Sequence, residues 1–361
     1  VGPWGRCLLA LLCLVPFQAC RRHAQPLRLG CFANLTHAQA LLGKSRGDFR
    51  VQGRPVAWRL FNADPAMTTL TTRLHIVPSG DALGADVLGI DVNQALDADT
   101  QQQLRQAWSE HLVLRFRGQR DVSLDALAAF SRHFGDLDKA PISATTMGDD
   151  FRWQHPEITV ISNVKVGGKP VGGLGDGESV WHSDMTYNER PPKGSCLYAV
   201  EIPPAGGNTQ FANMYRAYET LPVELKRAAR GLICIHDASH NSAGELRRGY
   251  AEVTDPRQTV GARHPVVRTH PVTGKPCLFL GRRRNAYLVG LPLDESESLL
   301  DALWAHAARA EFVWTQVWRL GDMIMWDNRC TMHRRDAFDP ATRRLLVRTQ
   351  ISGEPVAGLA Q

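Results

Sequence analysis

The sequence predicts a mostly β domain with helices packed against its outside, an α+β arrangement. Three observations predict it. Short apolar runs rich in Val, Ile, Tyr, Phe and Trp recur along the chain, bounded by Gly, Pro, Asn and Asp, as strands joined by turns require. Few segments show helical apolar spacing, and they lie between strand-like runs. No repeat or low-complexity tract interrupts residues 67–361, so they read as one domain with its helices as an outer layer.

The elements follow in chain order. From Leu74 to Val92 short apolar runs alternate with Gly and Asp, as small strands do. "DADTQQQLRQAWSEH" reads as a helix and "HLVLRFRG" as a buried strand. "SLDALAAFSRHFG" is a helix with Ser123 as N-cap and Gly135 just past its end. Two strand-like runs, "ITVISNV" and "SVWHSDMTY", flank "KVGGKPVGGLGDGE", whose glycines forbid a stable helix and suggest a mobile loop at the mouth of a site. No Lys-Ser/Thr follows those glycines, so a phosphate-binding loop is disfavoured. Strands at "CLYAVEI" and "NTQFA", helical patterns at 214–230 and 294–310, a hairpin at "HPVVRTHPVTGKPCLFL" and strands in "EFVWTQVWRLGDMIMWDNRCTMH" and "RRLLVRTQIS" complete the chain.

The formal charge of +6 would invite a nucleic-acid or membrane partner, but its placement argues otherwise. Residues 1–66 hold nine Lys and Arg against two Asp and Glu, leaving 33 basic and 34 acidic side chains in the rest. The body therefore suits neither nucleic acid nor a membrane surface, and a homo-oligomer stays open. Cys7, Cys13, Cys20 and Cys31 lie in the leader; Cys196, Cys234, Cys277 and Cys330 lie in the body without metal-type spacing. Those four sit in apolar runs, as reduced buried thiols in a reducing, cytoplasmic compartment do. "RCLLALLCLVPFQAC" superficially fits a signal peptide, one of lipoprotein type included, yet the first Met is Met67 and the well-patterned sequence opens there. Residues 1–66 are read as a mis-assigned start or a disordered extension, and 67–361 as the functional domain.

In "SVWHSDMTY", His182 and Asp184 stand two apart in a run that reads as a strand, so both would lean to one face. A nitrogen and a carboxylate there can hold one metal ion, although a lone His-x-Asp is more often a hydrogen-bonded pair. His333, in "MWDNRCTMH", follows 151 residues after His182. With "WHSD" upstream and "WDNRCTMHRRDAFDPATRRLLVRTQISG" downstream, the pattern resembles the taurine and chlorophenoxyacetate dioxygenase family over roughly residues 72–354.

The resemblance implies a double-stranded β-helix, or jelly-roll, core and an oxygenase that uses iron(II), 2-oxoglutarate as co-substrate and O2. It would hydroxylate a small anionic organic acid, a carboxylate or sulfonate, and release succinate and CO2. Two imidazoles and one carboxylate on one side of iron(II) leave three positions open for a bidentate 2-oxo acid and dioxygen. His182, Asp184 and His333 are the implied metal ligands and catalytic centre, against the alternative that His333 merely packs beside Trp326. The arginine eleven residues past the distal His, Arg344, is implied to hold the distal carboxylate of 2-oxoglutarate, assisted by Thr209 in "AGGNTQF". Arg343 should face outward. Arg348, four residues on from Arg344, is implied to grip the substrate's anion, with pairing to a core acid as the alternative.

Two departures disfavour taurine itself. Ala140-Pro141 replaces a histidine before proline that contacts the sulfonate in taurine-specific members, and Glu178 replaces an asparagine four residues before the first ligand. Arg282 to Arg284 in "GRRRNAY" would either add positive potential at the pocket mouth or form a solvated turn. His236 and His240 have the spacing of a helical zinc pair but lack the HExxH glutamate and follow a strand-like run, so a lining or structural role is expected. His264 and His270 are expected as turn residues, and Trp181 should point from the metal into the core. A non-catalytic jelly-roll metal or ligand-binding protein is the rival reading; Arg344 with Thr209 argues against it. A zinc hydrolase lacks a nearby general base.

Overall fold

The computed structural model describes residues 50–51, 54–55, 74–140, 154–176 and 179–359. The expectations for the leader cysteines, a start at Met67, Pro141 and Glu178 concern residues outside this set. The chain divides into units of residues 1–69 and 70–361. Within the first, Arg50–Val51 pairs antiparallel with Arg54–Pro55.

The second unit carries the expected elements: β1 (His75–Pro78), β2 (Ala85–Leu88), α1 (Ala98–His111), β3 (Val113–Phe116), α2 (Leu124–Arg132), β4 (Thr159–Ser162), β5 (Gly173–Leu174), β6 (Ser179–His182), β7 (Gly194–Glu201) and β8 (Thr209–Asn213). After α3 (Met214–Glu219) and α4 (Val223–Ala229) come β9 (Ile233–Ile235), β10 (Arg263–Pro265), β11 (Val267–Thr269), β12 (Pro276–Leu278) and β13 (Tyr287–Leu288). Then follow α5 (Leu293–Ala307), β14 (Val313–Gln316), β15 (Met323–Asp327), β16 (Thr331–Arg335) and β17 (Leu345–Ile351).

Local chemistry fixes the helix starts. Asp97 accepts the Thr100 N–H at the head of α1, and Ser123 accepts that of Ala126 at the head of α2.

An eight-stranded sheet runs in the order β1-β2-β3-β15-β7-β17-β4-β5, and a four-stranded antiparallel sheet in the order β6-β16-β8-β14. Side-chain alternation divides the core between them. From the larger sheet Leu197, Ile324, Trp326 and Leu346 meet Phe211, Trp314 and Met332 of the smaller one. The intervening Cys196, Tyr198, Met325 and Val347 turn the other way, onto Leu104 and Trp108 of α1 and Leu127 and Phe130 of α2. The molecule is thus mostly β, with helices covering one face of the large sheet.

Two expectations need correction. The glycine-rich stretch is not featureless: Lys165–Val166 and Lys169–Pro170 form a small hairpin, and β5 pairs parallel with β4. The strand read over 179–187 ends at His182, because the chain turns at 184–187 with Met185 at φ +49°. All four body cysteines are buried and unpaired. Among the described residues, no helix is long and apolar enough to cross a membrane.

Candidate metal centre and active site

The two sheets bring the predicted residues together. Antiparallel pairing of β6 with β16 sets His182 directly opposite His333, their ring centroids 4.2 Å apart. The turn after β6 carries Asp184 back toward both rings, so a turn rather than strand alternation delivers the carboxylate. Its Oδ1 lies 3.7 Å from His182 Nε2 and 3.8 Å from His333 Nε2. Asn328 clamps that turn: its Oδ1 accepts the Asp184 N–H at 2.7 Å, and its Nδ2 donates to the Asp184 and Pro192 carbonyls. Asn328 stood in the quoted "WDNRCTMH", but only the folded turn reveals its task.

The donor atoms suit a cation. His182 Nδ1 lies 2.7 Å from the Val180 carbonyl, which assigns the proton there and leaves the Nε2 lone pair facing Asp184. Burial pushes the His182 imidazole well below its ordinary value and His333 down to about 4, so both are neutral at pH 7. Burial, the largest single influence, would raise the Asp184 carboxyl, but Arg348 together with the two imidazoles and Arg282 holds the group well below the usual carboxylate range. One ligand atom from each residue falls within 4.8 Å of the others. Two neutral nitrogens and one ionised carboxylate brought this close together fit iron(II) with positions left open. His333 also packs beside Trp326, at 5.1 Å between centroids, so packing and ligation are not exclusive.

A second group, His270, Asp327 and Cys330, is close-set as well. Its carboxylate is already taken, since Arg329 donates to both Asp327 oxygens and His270 Nε2 lies 3.1 Å away. Burial raises the Cys330 thiol far above its ordinary value. That set is an internal ion-pair network.

Arg344 is 2% exposed, its Nε has no partner, and no carboxylate among the described residues pairs with it. Burial, and then the neighbouring Arg335, pull its pKa below the usual arginine value. Gly207, at φ +64°, packs so closely that a Cβ there would lie 3.1 Å from Arg344 Nε. Thr209 stands opposite Arg335 across β8 and β16 and accepts from Trp318 Nε1 at 3.1 Å. Arg343 faces outward and pairs with Glu201, as expected.

Arg348 does face the same interior, and its Nη1 donates to both Asp184 oxygens, at 3.1 and 3.0 Å. The core-acid alternative is therefore realised, with the candidate metal ligand itself as the acid. The arginine run separates: Arg283 pairs with Glu297 and Asp301, Arg284 with Glu252, and Arg282 turns inward.

Remaining side chains refine the sequence picture. Trp181 points away from the metal site but is only half-buried, with the Arg334 guanidinium 5.5 Å over its ring. His264 is no turn residue; it lies buried on β10, its Nε2 contacting the Thr186 and Asn188 carbonyls. His270 does cap the hairpin turn, its Nδ1 accepting from Val272 and Thr273, while its other nitrogen serves Asp327. His240 is bound to Asp237 and Ser239, a structural role.

The family described as taurine catabolism dioxygenase TauD, TfdA family matches residues 75–350. The chain belongs to that family. Its members here include relatives named as α-ketoglutarate-dependent dioxygenases. It is 34% identical to the α-ketoglutarate-dependent 2,4-dichlorophenoxyacetate dioxygenase of Cupriavidus pinatubonensis, covering 75% of this chain and 95% of that protein. It is 32% identical to the (S)-phenoxypropionate/α-ketoglutarate dioxygenase of Delftia acidovorans, covering 79% and 97%. Among solved structures, AAD-2 in complex with Mn(II) and N-oxalylglycine superposes with a TM-score of 0.64 at 30% identity, over 79% of this chain and 99% of that one. Family membership makes the chain a 2-oxoglutarate-dependent dioxygenase that uses iron(II) and O2.

Proposed function

We propose that this protein hydroxylates a small anionic organic substrate, a carboxylate or sulfonate, releasing succinate and CO2, within a double-stranded β-helix formed by the two facing sheets. His182, Asp184 and His333 hold iron(II), Arg344 and Thr209 bind the distal carboxylate of 2-oxoglutarate, and Arg348 meets the substrate anion. The observation that carries the reading is the pairing of a neutral-His, ionised-Asp triad with Arg344, a sealed cation that has no internal counter-charge. A buried guanidinium left so is costly, and a dicarboxylate co-substrate supplies what it lacks. A purely structural or metal-storing protein has no need of that arrangement.

Bound iron(II) supplies the chemistry that couples 2-oxoglutarate decarboxylation to dioxygen use. The chain supplies position and shielding: the tautomer of His182 is set by Val180, the turn of Asp184 by Asn328, and the sheets exclude bulk water. The relatives that act on aryloxy acids make aryloxy-carboxylates the first substrates to try. The four buried thiols and the supply of iron(II) and 2-oxoglutarate suit the cytoplasm. The catalytic unit is residues 67–361.

A panel of carboxylates and sulfonates, with iron(II) and ascorbate, tests the reading through substrate-dependent succinate release. No release above the substrate-free rate across the panel would remove it.

A further inference from the structure

We propose that Arg282 is a second residue for the substrate's anionic group, carried by a segment that packs against the chain between His182 and Asp184. The inference rests on the function proposed above and deepens it.

Three observations place Arg282. The Gly281 carbonyl accepts the Ser183 N–H at 3.2 Å, so the backbone leading into Arg282 lies against the residue between His182 and Asp184. Gly281 permits this approach: at φ +69°, a Cβ there would fall 2.0 Å from His236 Nδ1 and 2.8 Å from Thr186 Oγ1. The Arg282 side chain turns inward rather than out to solvent, its Nη1 reaching the His240 carbonyl.

Its hydrogen bonding is unfinished. Nη1 donates to the His240 carbonyl at 3.1 Å, a neutral acceptor. Nε is sealed from solvent without a partner, and no carboxylate among the described residues forms an ion pair with Arg282. Arg283 and Arg284 each have acidic partners on the outside, so the contrast lies within one tripeptide. Beside it, His236 is 1% exposed with both ring nitrogens unpartnered. Arg247, stacked 3.9 Å from the Tyr187 ring centroid, adds a further cation close enough to weaken Arg282's hold on its proton. A half-buried arginine with a sealed, unpartnered Nε and a buried imidazole with both nitrogens open, next to the segment that carries His182 and Asp184, describe an anion receptor.

Arg348 differs in one respect: its Nη1 is engaged by both oxygens of Asp184. Arg282 has no such paired contact: the Asp184 and Asp237 carboxylates favour its charge only from a distance, and its Nε stays without a partner. Arg282 therefore joins Arg348 in discriminating an acid from its neutral analogue.

The probe is 2,4-dichlorophenoxyacetate, with its carboxamide as the uncharged counterpart, titrated calorimetrically into the metal-free full chain and then assayed with iron(II) and 2-oxoglutarate. Arg282→Leu should weaken the acid about tenfold or more, the scale of a lost charge-assisted hydrogen bond, while the carboxamide changes less than about twofold. The Kd of the acid should also become less sensitive to ionic strength. Arg282→Lys should recover most of the affinity, and the thermal shift produced by 2-oxoglutarate should persist in both variants as a check of folding. Equal acid affinity in parent and Arg282→Leu, or equal loss of acid and carboxamide, overturns the assignment. A parent that neither binds nor hydroxylates any acid of the panel removes the proposed function instead, so the two failures are distinct.

Discussion

Arg348 on the large sheet and Asp184 on the turn after β6 of the small sheet form a buried ion pair, 3.0 Å at its shorter contact, that ties the two sheets together at the candidate metal site. The pair couples stability to function. Among the described residues Asp184 has no other cationic hydrogen-bond partner; Ser195 Oγ adds only a longer contact at 3.3 Å. Removing either member strands a charge in the interior.

In the metal-free protein, Arg348→Leu and Asp184→Leu should each cost about 3–5 kcal/mol, the usual penalty for breaking a buried pair. The double variant should cost clearly less than the two together, because neither charge is then left alone. Urea unfolding of the four proteins measures the coupling; strict additivity would show that the pair contributes nothing in solution.

His182→Ala, Asp184→Ala and His333→Ala should each abolish turnover. Loss of outer-sphere partners of metal ligands already lowers affinity by roughly 10–100-fold, and loss of a ligand should exceed that. Anaerobic iron(II) with 2-oxoglutarate should give a visible charge-transfer band in the parent and in none of the three. A variant that keeps both band and activity would dismiss its residue as a ligand.

Arg344 and Arg348 should separate kinetically. Arg344→Leu should raise the KM for 2-oxoglutarate by about 10–100-fold, as expected for a charge-assisted contact worth about 1.5–3 kcal/mol. It should also stabilise the ligand-free chain, since it removes a buried cation without a counter-charge. Arg348→Leu should act on the acidic substrate and leave 2-oxoglutarate affinity in place. The reverse pattern in steady-state kinetics would exchange their roles.

How far the sequence reaches is visible in these same residues. That His182, Asp184 and His333 come together was legible from the family pattern that joins the two distant motifs. The route of Asp184 was not, since nothing in "WHSDMTY" marks where extended backbone gives way to the Met185 turn. Alternation along β17 put Arg348 on the interior face but could not name its partner, which lies 164 residues away. Arg282 could not be told from Arg283 or Arg284, because a connecting segment has no period to say which side chain turns inward. His264 looked like a turn residue because it flanks a hairpin strand, while its bonds to the carbonyls of 186 and 188 are fixed only by tertiary contact.

The imidazoles also set a pH dependence. His333 is ordinarily half-protonated near 6.5, and burial brings it down to about 4 in the folded chain, with His182 lowered likewise. Between those values the unfolded chain takes up protons that the folded chain refuses, so stability rises with pH there. The metal-free protein should hold a level Tm above about pH 6.5 and lose stability as the pH falls toward 4, by on the order of 3 kcal/mol from His333 alone. Asp184 does not contribute in this window, because its carboxyl is ionised in both states until lower pH. Thermal unfolding of the parent and of His333→Asn across pH 4 to 7.5 makes the comparison. The variant should show a visibly shallower acid limb, and identical limbs would mean that His333 titrates in the folded protein as it does in the unfolded one.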